Sequence, residues 1–199
     1  MIQPRFSGFR VFGNRYYYDA LYATLIHLMP KNCLEIGTYF GYSAEVFQTY
    51  FDKFCPDGKL ITLDIKKYVD LNQLPNVTQL VVHPYINNSN KYHDVQPENI
   101  LSPVDKPDKN ISIVTNVFNN KFDFCFLDGD HNKPSIYNDF KLARALLKEP
   151  QYIMFDDIDV PNHESTEVFN NEILNDEKLA VNTYANWNVW IGAALLWNK

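Results

Sequence analysis

Residues 33–43 read Cys-Leu-Glu-Ile-Gly-Thr-Tyr-Phe-Gly-Tyr-Ser, and this run constrains the fold more than any other in the 199-residue chain. A short apolar stretch carrying Glu35 meets Gly37 and Gly41, and an amphipathic segment follows from Tyr42 to Tyr50. The pattern predicts strand, tight glycine turn, helix. Glycine lacks a Cβ, so the backbone can turn sharply there and approach a ligand closely. The helix behind such a turn directs its free N–H groups at whatever occupies the loop. In open α/β sheets a loop of this kind, at the carboxyl end of a buried strand, is a site for a nucleotide-type cofactor. The spacing is Glu-x-Gly-x-x-x-Gly, which differs from the Gly-x-Gly-x-x-Gly that grips a pyrophosphate. A carboxylate at the strand end suits a cationic, amine-bearing ligand better than a phosphate.

Segments of strand and helix character alternate along the rest of the chain. A helix is predicted over 16–29, stopped by Pro30, then strand 32–36, helix 42–54, strand 59–64, short helix 66–73 and strand 77–82. Residues 83–112, rich in Asn, Pro, Asp and Lys, are expected to be mostly loop. Then come strand 122–127, helix 134–148, strand 151–155, a helix around 164–175, and two strand-like segments at 178–184 and 188–198. This alternation predicts a doubly wound, Rossmann-like α/β fold, with a mostly parallel sheet covered by helices on both faces. The length and the lack of linkers or repeats suit a single domain over 1–199.

Composition removes several function classes. A net charge of −6 with no Lys/Arg cluster argues against a surface that coats nucleic acid or an anionic membrane. No apolar run approaches the ~20 residues of a membrane span. Met1 to Arg15 lacks the apolar core and small-residue cleavage site of a signal peptide. Cys33, Cys55 and Cys125 are odd in number and share no metal spacing, which predicts reduced structural thiols and a cytoplasmic protein.

Three further strand ends carry acids. Lys59-Leu-Ile-Thr-Leu-Asp64 ends in a carboxylate 23 residues after Gly41, where an acid can accept both ribose hydroxyls of an adenosine cofactor. Phe122-Asp-Phe-Cys-Phe-Leu-Asp-Gly-Asp-His131 leads an apolar run into Asp128, Asp130 and His131. Gln151-Tyr-Ile-Met-Phe-Asp-Asp157 repeats the device with Asp156 and Asp157. If the last two strands are neighbours, Asp128, Asp156 and Asp157 meet beside the cofactor. Clustered carboxylates repel one another in a cleft and need protons or a cation. Hard oxygen ligands with room for water suit Mg²⁺, Mn²⁺ or Ca²⁺. The alternative is that one acid caps the helix at 134 and the others are solvated.

The glycine turn resembles motif I of the class I S-adenosylmethionine-dependent methyltransferases. Leu-Asp-Gly-Asp-His with the later Phe-Asp-Asp looks like the Methyltransf_24 family, relatives of the catechol O-methyltransferases, and the likeness runs from Asn32 to Asn198. The resemblance implies a seven-stranded sheet closed by a C-terminal antiparallel hairpin. It implies S-adenosylmethionine bound by Glu35, Gly37, Thr38, Tyr39, Gly41, Tyr42, Ser43, Asp64 and Ile65. It also implies a divalent cation on Asp128, Asp156 and Asp157, and O-methylation of a small hydroxylated acceptor. In the catechol enzymes a lysine three residues after the first metal acid is the base; that position here is His131, a neutral imidazole able to take a proton near pH 7. Asp128 is the other candidate catalytic residue. A second departure is the missing Gly-Asp-Ala-type adenine contact, replaced by His83 to Asn90. A cephalosporin hydroxylase-like enzyme and a binding-only protein stay open as alternatives, since fold does not fix function. The partner expected is the small-molecule acceptor; a homo-oligomer is left open. Tyr16, Tyr17, Tyr18, Trp187 and Trp190 are read as packing residues or as lining of an aromatic acceptor pocket, His163 as a helix-entry or rim residue, and His83 and His93 as loop residues.

Overall fold

The structure is a computed structural model, and it describes residues 15–81, 122–150, 152–158, 164–175, 179–185 and 192–198. Helix α1 (Arg15–Leu28) leads into β1 (Asn32–Ile36), α2 (Tyr42–Phe54), β2 (Lys59–Asp64) and β3 (Val77–Val81). Then come β4 (Phe124–Leu127), α3 (Lys133–Leu146) and β5 (Tyr152–Phe155). Helix α4 (Glu164–Val168) widens into a π-helical turn (Phe169–Ile173), and β6 (Leu179–Ala185) and β7 (Gly192–Asn198) follow.

The strands form one sheet in the order β3-β2-β1-β4-β5-β7-β6. The first five run parallel, and β7 pairs antiparallel with both β5 and β6. Because side chains alternate across a strand, each face takes its own apolar set. Leu34, Ile36, Leu63, Cys125, Leu127, Ile153 and Phe155 pack under α3 and the π-helical turn. Cys33, Leu60, Phe124, Phe126 and Met154 pack under α1 and α2, where Phe47, Tyr50 and Phe51 are fully buried. Helices therefore cover both faces, as the alternation predicts. All three cysteines are free and buried, and desolvation pushes the Cys33 and Cys125 thiols well above their ordinary range. Among the described residues no helix is long and apolar enough to cross a membrane.

The register positions the site. Ile36 pairs with Leu63 on one side and with Leu127 on the other, and Leu127 pairs with Phe155. The residues that come next on these four neighbouring strands are Gly37, Asp64, Asp128 and Asp156. Backbone bonds continue the ladder there: Gly37 N–H donates to Leu63 O at 2.9 Å, Asp128 N–H to Ile36 O at 2.8 Å, and Asp156 N–H to Leu127 O at 3.0 Å. Strands sit about 4.8 Å apart, so four separated sequence motifs become one row. The row straddles the point where the strand order reverses, between β1 and β4, where open α/β sheets bind ligands.

One predicted element differs. Residues 66–73 run through bends and turns, not a helix. Asp64 takes the Lys66 N–H on Oδ1 at 3.2 Å, and Asp70 takes the Asn72 N–H at 3.1 Å. Such short side-chain-to-backbone bonds offer the chain an alternative to helix. The loop and side-chain expectations for His83, His93, His163, Trp187 and Trp190 lie outside the described residues, as do the side chains of Tyr16, Tyr17 and Tyr18.

Candidate functional site

The glycine loop is a turn closed by Gly41 N–H donating to Thr38 O at 2.7 Å. Gly37 and Gly41 take φ of +103° and +78°, and Tyr39 adopts φ +43° between them. A Cβ on Gly37 would stand 1.7 Å from the Asp128 carbonyl oxygen. The close approach that requires glycine is thus between the loop and the β4 tip. Helix α2 starts from Gly41 without a side-chain cap, so its first N–H groups face the loop.

Asp64 anchors this loop from the next strand. Its Oδ2 accepts the N–H groups of Thr38 at 3.0 Å and Tyr39 at 2.8 Å. The Thr38 and Thr62 hydroxyls are 2.6 Å apart in the buried layer beneath. Glu35 lies in that layer, fully buried, and neither carboxylate oxygen has a hydrogen-bond partner. Burial raises its pKa from 4.5 to about 7; nearby Ser43 and Thr62 hydroxyls lower it and Asp64 raises it, without reversing the shift.

A cavity of about 400 Å³ opens beside the row. Gly37, Tyr39, Asp64, Ile65, Asp128 and His131 line it, over an apolar floor of Ile36, Leu63 and Leu142. Glu35, Thr38, Gly41, Tyr42 and Ser43 do not; they build the loop from behind. Tyr68 and the buried Asp139, outside the sequence-based set, also line it, beside Gly129 and Asp130. Asp139 stands on α3 against Gly129, where a Cβ would meet its Oδ2 at 2.7 Å. Asp139 sits where an acidic side chain interrupts the apolar face of a helix, a signal readable in sequence. Tyr68, in what reads as a helix, gives no such signal.

At the far end of the row, ligand atoms of Asp128, His131 and Asp157 lie within 4.8 Å of one another. His131 Nδ1 is 3.4 Å from Asp157 Oδ2. Asp157 reaches this position through φ +55°, which Asp tolerates better than most residues, and Ser165 Oγ donates to its carbonyl at 2.6 Å. Asp156 is not in the converging group. It points inward, with Oδ1 buried and unpartnered. Burial first, then the charges of Asp128 and Asp157, push its carboxyl well above the usual range, and a hydrogen bond with Asp128 favours the protonated form. It shares a void of about 20 Å³, the size of one water, with Asp128 and His131. Helix capping falls to Asn132, whose Oδ1 accepts the Ser135 N–H at 3.0 Å, while Asp130 accepts from Ser135 Oγ at 2.9 Å.

The chain matches the methyltransferase-domain family Methyltransf_24 over residues 34–158, and it belongs to that family. Its fold is similar to that of a Bacillus cereus O-methyltransferase solved with S-adenosylhomocysteine, at 17% identity and TM-score 0.57, covering 94% of this chain and 82% of that one. It is also similar to the O-methyltransferase TomG of Streptomyces achromogenes, involved in tomaymycin synthesis and solved with S-adenosylmethionine, at 18% identity and TM-score 0.58 over 94% and 81% of the two chains. A third likeness is to the S-adenosylhomocysteine-bound Podospora anserina methyltransferase PaMTH1, at 17% identity and TM-score 0.58 over 94% and 80%. No curated protein matches the chain significantly.

Proposed function

We propose that this methyltransferase moves the sulfonium methyl of S-adenosylmethionine to the hydroxyl oxygen of a small acceptor, acting as a single cytoplasmic domain with the seven-stranded sheet as its frame. The observation that carries the reading is the row Gly37, Asp64, Asp128, Asp156 on four adjacent strand ends, beside a cavity of cofactor size. The cofactors of the Bacillus and Streptomyces proteins support it. Gly37, Tyr39, Asp64 and Ile65 would contact the cofactor directly. Asp64 already holds the loop and has lone pairs left for ribose hydroxyls. Glu35, Thr38, Gly41, Tyr42 and Ser43 would shape the loop's inner side, with the Glu35 carboxylate answering the charge of the amino-acid end.

In the reaction the acceptor oxygen attacks the methyl carbon opposite sulfur. The C–O bond forms as the C–S bond breaks, its electron pair stays on sulfur, and the acceptor's proton must leave. The protein's contribution is alignment and charge stabilisation. His131 takes that proton: its Nδ1 lies 3.4 Å from the Asp157 carboxylate, which orients a neutral ring able to accept a proton at the cavity. The donor set also fits a divalent cation. Asp128 and Asp157 would hold Mg²⁺ or Mn²⁺, with Asp156 buried beside them, one of its oxygens unpartnered, and lining the same small void as Asp128. When bound, the cation lowers the pKa of the acceptor hydroxyl.

Calorimetry tests the cofactor assignment. S-adenosylhomocysteine should bind and NAD should not; tight NAD binding without S-adenosylhomocysteine binding would overturn it.

A further inference from the structure

We propose that Tyr68 is a cofactor-binding residue whose ring covers the nucleoside end of the ligand, as part of one aromatic wall with Tyr39. The inference rests on the methyltransferase reading and adds a residue to its cofactor site. Three of the large apolar side chains left exposed in the structure, Tyr39 at 57%, Ile65 at 49% and Tyr68 at 41%, line one cavity mouth. Leaving such rings in water at a surface costs the burial free energy that covering them would recover, so their grouping around one carboxylate asks for an occupant.

Asp64 fixes where that occupant lies. Its Oδ2 holds the backbone of Tyr39, and its Oδ1 holds the backbone of Lys66, two residues before Tyr68. The two rings, both held from one carboxylate, meet and form a single aromatic wall at the cavity mouth. A ribose bound to that carboxylate lies beside this wall. Tyr68 is also held in place before any ligand arrives. Its ring meets Tyr39 edge to face at 5.2 Å and Phe40 at 6.1 Å, and the Lys66 ammonium stands 5.0 Å from its centroid. A held ring loses little conformational freedom on binding, which favours its use as a platform. The apolar, flat part of the proposed cofactor is its adenosine half, and aromatic side chains hold bases by stacking.

Calorimetry with S-adenosylhomocysteine and with 5′-methylthioadenosine, which lacks the amino-acid end, tests this. Tyr68→Ala should weaken both ligands by a similar factor of about ten or more, by the loss of one stacked ring. Tyr68→Phe should bind both within about twofold of wild type, because the ring and not the hydroxyl is used. The exposed side chain should leave the unliganded melting temperature of both variants near that of wild type. Tyr68→Ala binding S-adenosylhomocysteine as wild type does, or Tyr68→Phe losing as much as Tyr68→Ala, overturns the inference. Wild-type protein that binds neither ligand overturns the cofactor reading itself.

Discussion

A side chain on Gly37 cannot coexist with the Asp128 carbonyl, because the first carbon would stand 1.7 Å from that oxygen. The glycine loop and the β4 tip touch through bare backbone. Gly37→Ala must therefore separate β1 from β4 at the site and also place an L residue at φ +103°. It should lower stability by more than about 2 kcal/mol and abolish S-adenosylhomocysteine binding. Thermal melting and calorimetry read both effects. A variant as stable as wild type would show that the two strand tips move apart freely.

Asp64 is expected to matter without ligand as well as with it. Asp64→Ala strips the acceptor from the Thr38 and Tyr39 N–H groups and from Lys66. Affinity for S-adenosylhomocysteine should fall by about 1.5–3 kcal/mol, the range for charged hydrogen bonds. The unliganded melting temperature should fall too. If affinity drops and melting does not, the carboxylate serves the ligand alone.

Glu35 makes stability depend on pH. Its folded pKa of about 7 lies above the ordinary 4.5, so the folded state binds more protons than the unfolded state between those values. Stability is then fully present below about pH 4.5 and is lost as pH rises to about 7. The loss is on the order of 3 kcal/mol for a wholly buried carboxyl. Glu35→Gln stays neutral and should flatten that part of the curve, so the variant gains on wild type at pH 8 and not at pH 5. Denaturant melts at the two pH values measure the difference, and an equal gap at both would exclude Glu35 as the source.

If Asp128 and Asp157 hold a divalent cation, Mg²⁺ or Mn²⁺ should raise the melting temperature with saturation. Asp128→Asn and Asp157→Asn should each remove most of that shift. Asp156→Asn should leave the unliganded fold intact, because it replaces a carboxyl whose charged form burial and the neighbouring Asp128 and Asp157 disfavour. Melting that ignores both cations in the wild type would remove the metal from the proposal.

Much of this geometry was readable in the chain. The strand ends at Ile36, Asp64, Leu127 and Phe155 were visible as apolar runs meeting glycine or acid, because buried parallel strands must be apolar and their ends must not be. What escaped were features set by contact. Gly37 reads as a place for a ligand, yet what it meets is the backbone of Asp128, a residue 91 positions away. Asp156 and Asp157 are identical side chains side by side, and only the left-handed backbone at Asp157 decides which turns to His131 and which turns inward. Tyr68 falls within the helix expected over 66–73, where Asp64 and Asp70 claim N–H groups that a helix would use.

His131 can be separated from the cofactor site by kinetics. It follows Asp128 by three residues at a strand tip, lines the cavity, and faces Asp157 through Nδ1. Its distance from Asp157, 3.4 Å, is long for a hydrogen bond, as catalytic contacts often are before substrate arrives. With an acceptor found by screening hydroxylated small molecules, His131→Ala should lower kcat about 10²–10⁴-fold, the range for loss of a general base, with little change in S-adenosylhomocysteine affinity. The pH–rate profile should lose the limb that reports imidazole ionisation. Asp157→Asn should keep that limb and shift it to lower pH, since the carboxylate that favours the charged ring is gone. A His131→Ala profile identical to wild type would assign deprotonation of the acceptor to another group.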